Sequence, residues 1–298
     1  MTTQQSFSHE RLYQLLQRCG ALSGVKAEVF RNHDDNQWWP LAVSDWRLRL
    51  VVAGWSTRVS YHMISTYRGV VEKANNLGYD QLCTLQDDEI EQVVASIGLA
   101  RARCTYFRSV QSFLLQSELT LEALHASKND GLIEQFAANV TGAGYKVAQC
   151  AILYAKGYHC GIFPVDSGMK DMLGPCLGLS LPRTPIAHEI MRQHLEGLLQ
   201  THASSYLQLA RELGYGTLAL PHDSAPVWWA HLVLIYFKRQ FCNVHHPHLC
   251  PLRLDKEIGS SIGTMCDRSH PQPGDPKHAQ SASQLTATPE ESPFGGAR

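Results

Sequence analysis

The sequence predicts an all-α protein, a two-lobed helical bundle. Apolar residues recur at spacings of three and four along most of the chain, the period of a helix with one buried face. Runs that alternate apolar and polar residues, the mark of a half-buried strand, are scarce. The chain has 298 residues, 44% of them hydrophobic, enough to bury a sizeable core.

The elements follow in order. A first helix is expected over about 8–19, with Ser8 as its cap, and an irregular stretch over 31–43. Ser44 or Asp45 caps a helix through WRLRLVVAG, and another covers about 59–75. Asp87 and Asp88 open a helix that ends near Gly98, followed by helices over about 101–115 and 120–127. Residues 131–139 and 145–156 form a pair of helices flanking TGAG, and Ser167 starts a further helix. Thr184-Pro185 opens a long helical stretch to about Leu213, broken near Ser204, with proline in its first turn. The last core helix is about 225–241. Beyond Asp267 the chain is rich in proline, serine and glycine, so residues 267–298 are expected to form a disordered tail.

The predicted organisation is an N-terminal helix and irregular segment (1–43) packing on the second lobe, and a helical lobe (44–180) carrying the hairpin. A C-terminal set of helices (181–266) completes the second lobe, and the tail follows. Net charge is −1, which by itself supports neither a nucleic-acid nor a membrane partner. No apolar run approaches the roughly 20 residues needed to cross a bilayer. The polar N-terminus lacks a signal-peptide core, and nine scattered cysteines read as reduced thiols. Together they lead us to expect a soluble intracellular protein.

One stretch, VTGAGYKVAQCAILYAKGYHCGIFPVDSGMK (140–170), carries chemistry. Gly142 and Gly144 permit positive φ and close approach of another backbone. The helix that follows points unpaired N–H groups at the turn, a setting that suits phosphate. Lys146 lies in that helix's first turn among Val147, Ala148, Cys150 and Ala151. Apolar surroundings and the positive end of a helix both favour a free amine, which is a nucleophile. Asp166 ends an apolar run. Locally it reads as the cap of the next helix, and a carboxylate there could also face a developing cation.

Gly-x-Gly, x-Lys, an apolar helix, then Val-Asp about 20 residues on resembles the helix-hairpin-helix (HhH-GPD) DNA glycosylase superfamily. The likeness is to the bifunctional glycosylase/lyase branch that includes endonuclease III and 8-oxoguanine DNA glycosylase. SIGLARARCTYFRSV (96–110), VVAGWSTRVS (51–60) and PVWWAHLVLIYFKRQFC (226–242) are similar to other family segments, so about 200 residues are covered, from 45 to 250. The resemblance implies that Lys146 attacks the sugar C1′ and Asp166 steadies the cationic sugar. It implies that the hairpin of Val140, Gly142, Ala143 and Gly144 holds a DNA phosphate. Trp55 matches a position that fills the gap left by the flipped base, and Cys150 a residue that stacks on the base. The implied activity is excision of a damaged or modified base from double-stranded DNA, followed by strand cleavage. The enzyme would be a monomer, in the cytoplasm with the nucleoid or in a nucleus.

The chain departs from endonuclease III near its C-terminus. Only Cys242, Cys250 and Cys266 stand where four cysteines hold an iron–sulfur cluster, so no cluster and no other cofactor is expected. That segment is expected to be a solvated loop, with zinc at Cys242, His245, His246, His248 and Cys250 as the alternative. Absence of the cluster, KVAQC and the Pro-Val-Asp triplet resemble the 8-oxoguanine branch, which implies an oxidised purine such as 8-oxoguanine as substrate. An oxidised pyrimidine or another modified base is the alternative. Against that branch, only about 45 residues precede the helical core, so the β-rich N-terminal domain of its eukaryotic members is not expected. The competing function is a helix-hairpin-helix module that binds DNA without catalysis, which explains the glycines but gives no reason for Lys146 to meet Asp166.

Overall fold

The computed structural model describes residues 3–242 and 250–253. The expected tail and the histidines of the alternative zinc site lie outside them. The described residues form helices and turns, with no strand among them. The α-helices are α1 (Thr3–Ala21), α2 (Ser23–Asn32), α3 (Trp46–Trp55), α4 (Ile64–Leu77), α5 (Tyr79–Thr84), α6 (Asp87–Val94) and α7 (Ala100–Ser117). They continue with α8 (Leu121–Ala126), α9 (Asn129–Asn139), α10 (Tyr145–Lys156), α11 (Ser167–Leu177), α12 (Ala187–Thr201), α13 (Ala203–Ala210) and α14 (Val227–Gln240).

Local chemistry sets many of the boundaries. The Asp45 side chain accepts from the Arg47 amide at 2.9 Å and caps α3. Gln86 and Glu89 form a reciprocal capping box on α6, and the Thr120 hydroxyl caps α8. The long stretch expected from Thr184 begins instead at Ala187. Residues 184–186 make a tight turn whose carbonyls accept from the Ala187, His188 and Glu189 amides. The break falls at His202, two residues before the expected point.

Two groups of helices make the core. In one, α10 has its largest interface with α3, while α9 packs on α10, and α7 on α3 and α6. The α3–α7 contact is close because of Gly54: a Cβ there would lie 2.1 Å from the Tyr106 ring, whose hydroxyl donates to the Leu50 carbonyl at 2.9 Å. In the other group, α14 packs against α1, α2 and α11. Its first eleven residues, Val227 to Phe237, are all buried, as expected for a helix apolar on every side. Two tyrosines near the end of α10 tie the groups together: the Tyr154 hydroxyl donates to the Pro40 carbonyl at 2.5 Å and that of Tyr158 to the Trp39 carbonyl.

Candidate active site

The turn between α9 and α10 is built from its own backbone. The Val140 amide donates to the Phe136 carbonyl and the Ala143 amide to the Val140 carbonyl, both at 3.0 Å. The Thr141 amide donates to the Ser109 hydroxyl on α7 at 2.8 Å. Gly142 sits at φ 85°, a conformation that favours glycine. Val140 and Ala143 are buried, and their amides are committed inside the turn. This corrects the expectation that all four hairpin residues present donors to a phosphate. The exposed positions are Gly142 and Gly144, with the first-turn amides of α10 beyond them.

Lys146 is half-buried in that first turn and lines a cavity of about 520 Å³. Cys150, one turn further along α10, lines the same cavity and is 2% exposed. Burial pushes its thiol up; Lys146 opposes this and Asp166 adds to it. Asp166 opens to the cavity from the other side. Its Oδ1 accepts from the Met169 amide at 2.6 Å, so it caps α11 and faces the cavity at once. The sequence-predicted amine, thiol and carboxylate thus share one space. Among the described residues, no hydrogen bond or ion pair engages the Lys146 amine.

The rest of the wall comes from distant parts of the chain: Trp38 and Trp39 ahead of α3, Thr57 and Arg58 after it, and His231 and Arg239 on α14. Sequence reasoning missed these, because only tertiary packing brings them here. His231 is 8% exposed and stacks on Trp228 at 5.3 Å between ring centroids. Burial holds its imidazole down at about 3; Asp166 pulls upward, and Arg239 and Lys146 act with burial. The ring is therefore neutral at pH 7. An unfolded chain takes up a proton here near 6.5 and the folded chain only near 3, so acid favours the unfolded state across that window. Replacing His231 by Phe should flatten the loss of melting temperature between pH 6.5 and pH 3 relative to wild type. Parallel melting curves for the two proteins would refute the assignment.

Trp55 does not reach the cavity. It is fully buried, its indole N–H donates to the Arg103 carbonyl at 3.1 Å, and it packs near Phe107. The expectation that it fills a gap in DNA is therefore corrected: its position on α3 faces the core. The exposed residue beyond that helix is Arg58, held at φ 58°. A second exposed residue in the left-handed region, Leu99 at φ 53°, precedes α7. The buried Arg103 guanidinium joins the two turns. It donates to the carbonyls of Gly98 at 2.8 Å, Ile97 at 3.2 Å, Thr57 at 3.1 Å and Trp55.

No protein-family model matches the sequence, and no curated protein matches it. Among the solved structures to which the chain is similar are two DNA-related proteins. One is the 3-methyladenine DNA glycosylase MagIII of H. pylori bound to 1,N6-ethenoadenine, with 14% identity and a TM-score of 0.47, covering 77% of this chain and 97% of that one. The other is MBOgg1 in complex with a low-affinity DNA ligand, with 17% identity and a TM-score of 0.44, covering 76% of this chain and 70% of that one.

Proposed function

We propose that this chain is a DNA glycosylase with an associated lyase step, acting on a damaged or modified base flipped out of the duplex. One observation carries the reading: Lys146 and Asp166, set on different elements, open into the same cavity beside a helix-hairpin-helix turn. Its volume suits a single small-molecule occupant, for which sites of roughly 300–1,000 Å³ are usual.

Departure of the base breaks the C1′–N bond. The base leaves with the bonding pair and takes up a proton, and the sugar becomes cationic. The Asp166 carboxylate, fixed at the cavity wall, opposes that charge as it develops. The Lys146 nitrogen bonds to C1′; the C1′–O4′ bond then opens, one amine proton passes to O4′, and a protonated Schiff base results. Removal of a C2′ proton then expels the 3′ phosphate and cuts the strand. Exposed backbone amides at Gly142, Gly144 and the start of α10 would hold a phosphate, which positions the duplex without reading sequence.

For the base, we favour an oxidised purine such as 8-oxoguanine, with oxidised pyrimidines as the second choice. Cys150 one turn from Lys146 supports this, and so does the charge of the wall. Arg58 and Arg239 outnumber Asp166, which disfavours a cationic alkylated base. Borohydride reduction during reaction with a panel of lesion duplexes should trap a covalent enzyme–DNA adduct. Failure to trap on any lesion, with salt-sensitive DNA binding alone, would leave the non-catalytic module. Replacing Asp166 by Asn keeps a competent helix cap, so the melting temperature should hold while base release slows by about 10²–10³-fold. Unchanged single-turnover rates would remove Asp166 from the mechanism.

A further inference from the structure

The segment 162–165 is buried and lies outside any helix, and no strand among the described residues pairs with it. Buried backbone groups need partners, and here side chains supply them. The Val165 amide donates to Gln149 Oε1 at 2.9 Å, and the Phe163 amide to Glu196 Oε1 at 2.8 Å. The Val165 carbonyl accepts from His188 Nδ1 at 2.9 Å. Gln149 is fully buried and stands three residues after Lys146, on a neighbouring position of the same helix. Its Nε2 donates to Glu189 Oε2 at 2.9 Å. A carboxylate only accepts, so this bond fixes the amide with its oxygen toward Val165. Arg192, itself fully buried, holds both Glu189 and Glu196 in place.

We propose that Gln149 is a positioning residue: its side-chain amide locks the backbone next to Asp166 to the helix that carries Lys146, and so sets the amine against the carboxylate. This rests on the glycosylase reading. Misplacement by an ångström costs a reaction far more than it costs binding, so the signature is in the chemical step. With saturating lesion DNA, Gln149→Leu should form the trapped adduct about 10²-fold more slowly, while final yield and DNA affinity stay at wild-type levels. The exchanged pair Gln149→Glu with Glu189→Gln keeps an acceptor for Val165 and a donor–acceptor bond between the two side chains. It should recover most of the rate that Gln149→Leu loses. Hydrogen exchange should show the 163–166 amides opening faster in Gln149→Leu than in wild type. A lower yield at an unchanged rate would mean that Gln149 only supports folding, and would overturn the proposal; so would an exchanged pair as slow as Gln149→Leu. Should wild type release no base and trap nothing on any lesion, the glycosylase reading fails by itself. The clamp is then judged by exchange alone, and unchanged exchange at 163–166 refutes it.

Discussion

On the proposed glycosylase/lyase reading, Lys146→Ala should form no borohydride-trapped adduct and leave no nick at the lesion, yet should fold and bind lesion DNA. The loss follows from chemistry, since alanine has no nitrogen to bond C1′. Retention of the fold follows from the surroundings. Lys146 is half-buried in the first turn of α10, and no hydrogen bond or ion pair among the described residues depends on it. Alanine is the better helix former and no partner is lost, so the melting temperature should be unchanged or slightly higher. Retention of binding follows because the exposed amides of the hairpin are backbone groups and survive the substitution. Gel-resolved trapping, a melting curve and a salt titration of binding check the three parts. An adduct of undiminished yield would mean that another amine is the nucleophile.

The second large effect is on stability. Arg192→Ala should cost about 3–5 kcal/mol, the usual loss when one partner of a buried ion pair is removed. The guanidinium is fully buried and bonds Glu189, Glu196 and Asp130, the last two at 2.5 Å. Without it, two carboxylates on α12 lose their shared cation. Burial already pushes Glu196 up to about 7 against the pull of Arg192, so the orphaned acid would have to protonate. Because Glu196 and Gln149 together hold residues 163–165, base excision should fall with stability. Denaturant unfolding measures the first loss. A midpoint shift equivalent to under about 1 kcal/mol, the worth of an exposed pair, would show the network to be unimportant.

Legibility in the sequence followed how local each signal was. The bounds of α10 were readable because glycine stands at both ends, Gly144 extended before it and Gly157 at φ 99° after it. Helix α2 was missed: Leu22 gives it no side-chain cap, and its partner is α14, about two hundred residues away. The six-residue α5 is too short to show a period. Lys146, Cys150 and Asp166 were found because they lie within 21 positions of one another and carry recognisable spacing. Trp55 was misplaced because periodicity tells which helix positions share a face but not which face meets the core. The aromatic side of the cavity was invisible for a related reason. Trp38 and Trp39 reach it through a loop held by the hydroxyls of Tyr154 on α10 and Tyr158 just beyond it, and nothing in a linear pattern announces those bonds.

The Arg103 clamp has a mechanical corollary. Four carbonyls from two turns converge on one guanidinium, so the loop bearing Arg58 and the loop bearing Leu99 form a single stiff lip. A load applied to either tip is carried through the other, and neither can yield until that guanidinium lets go.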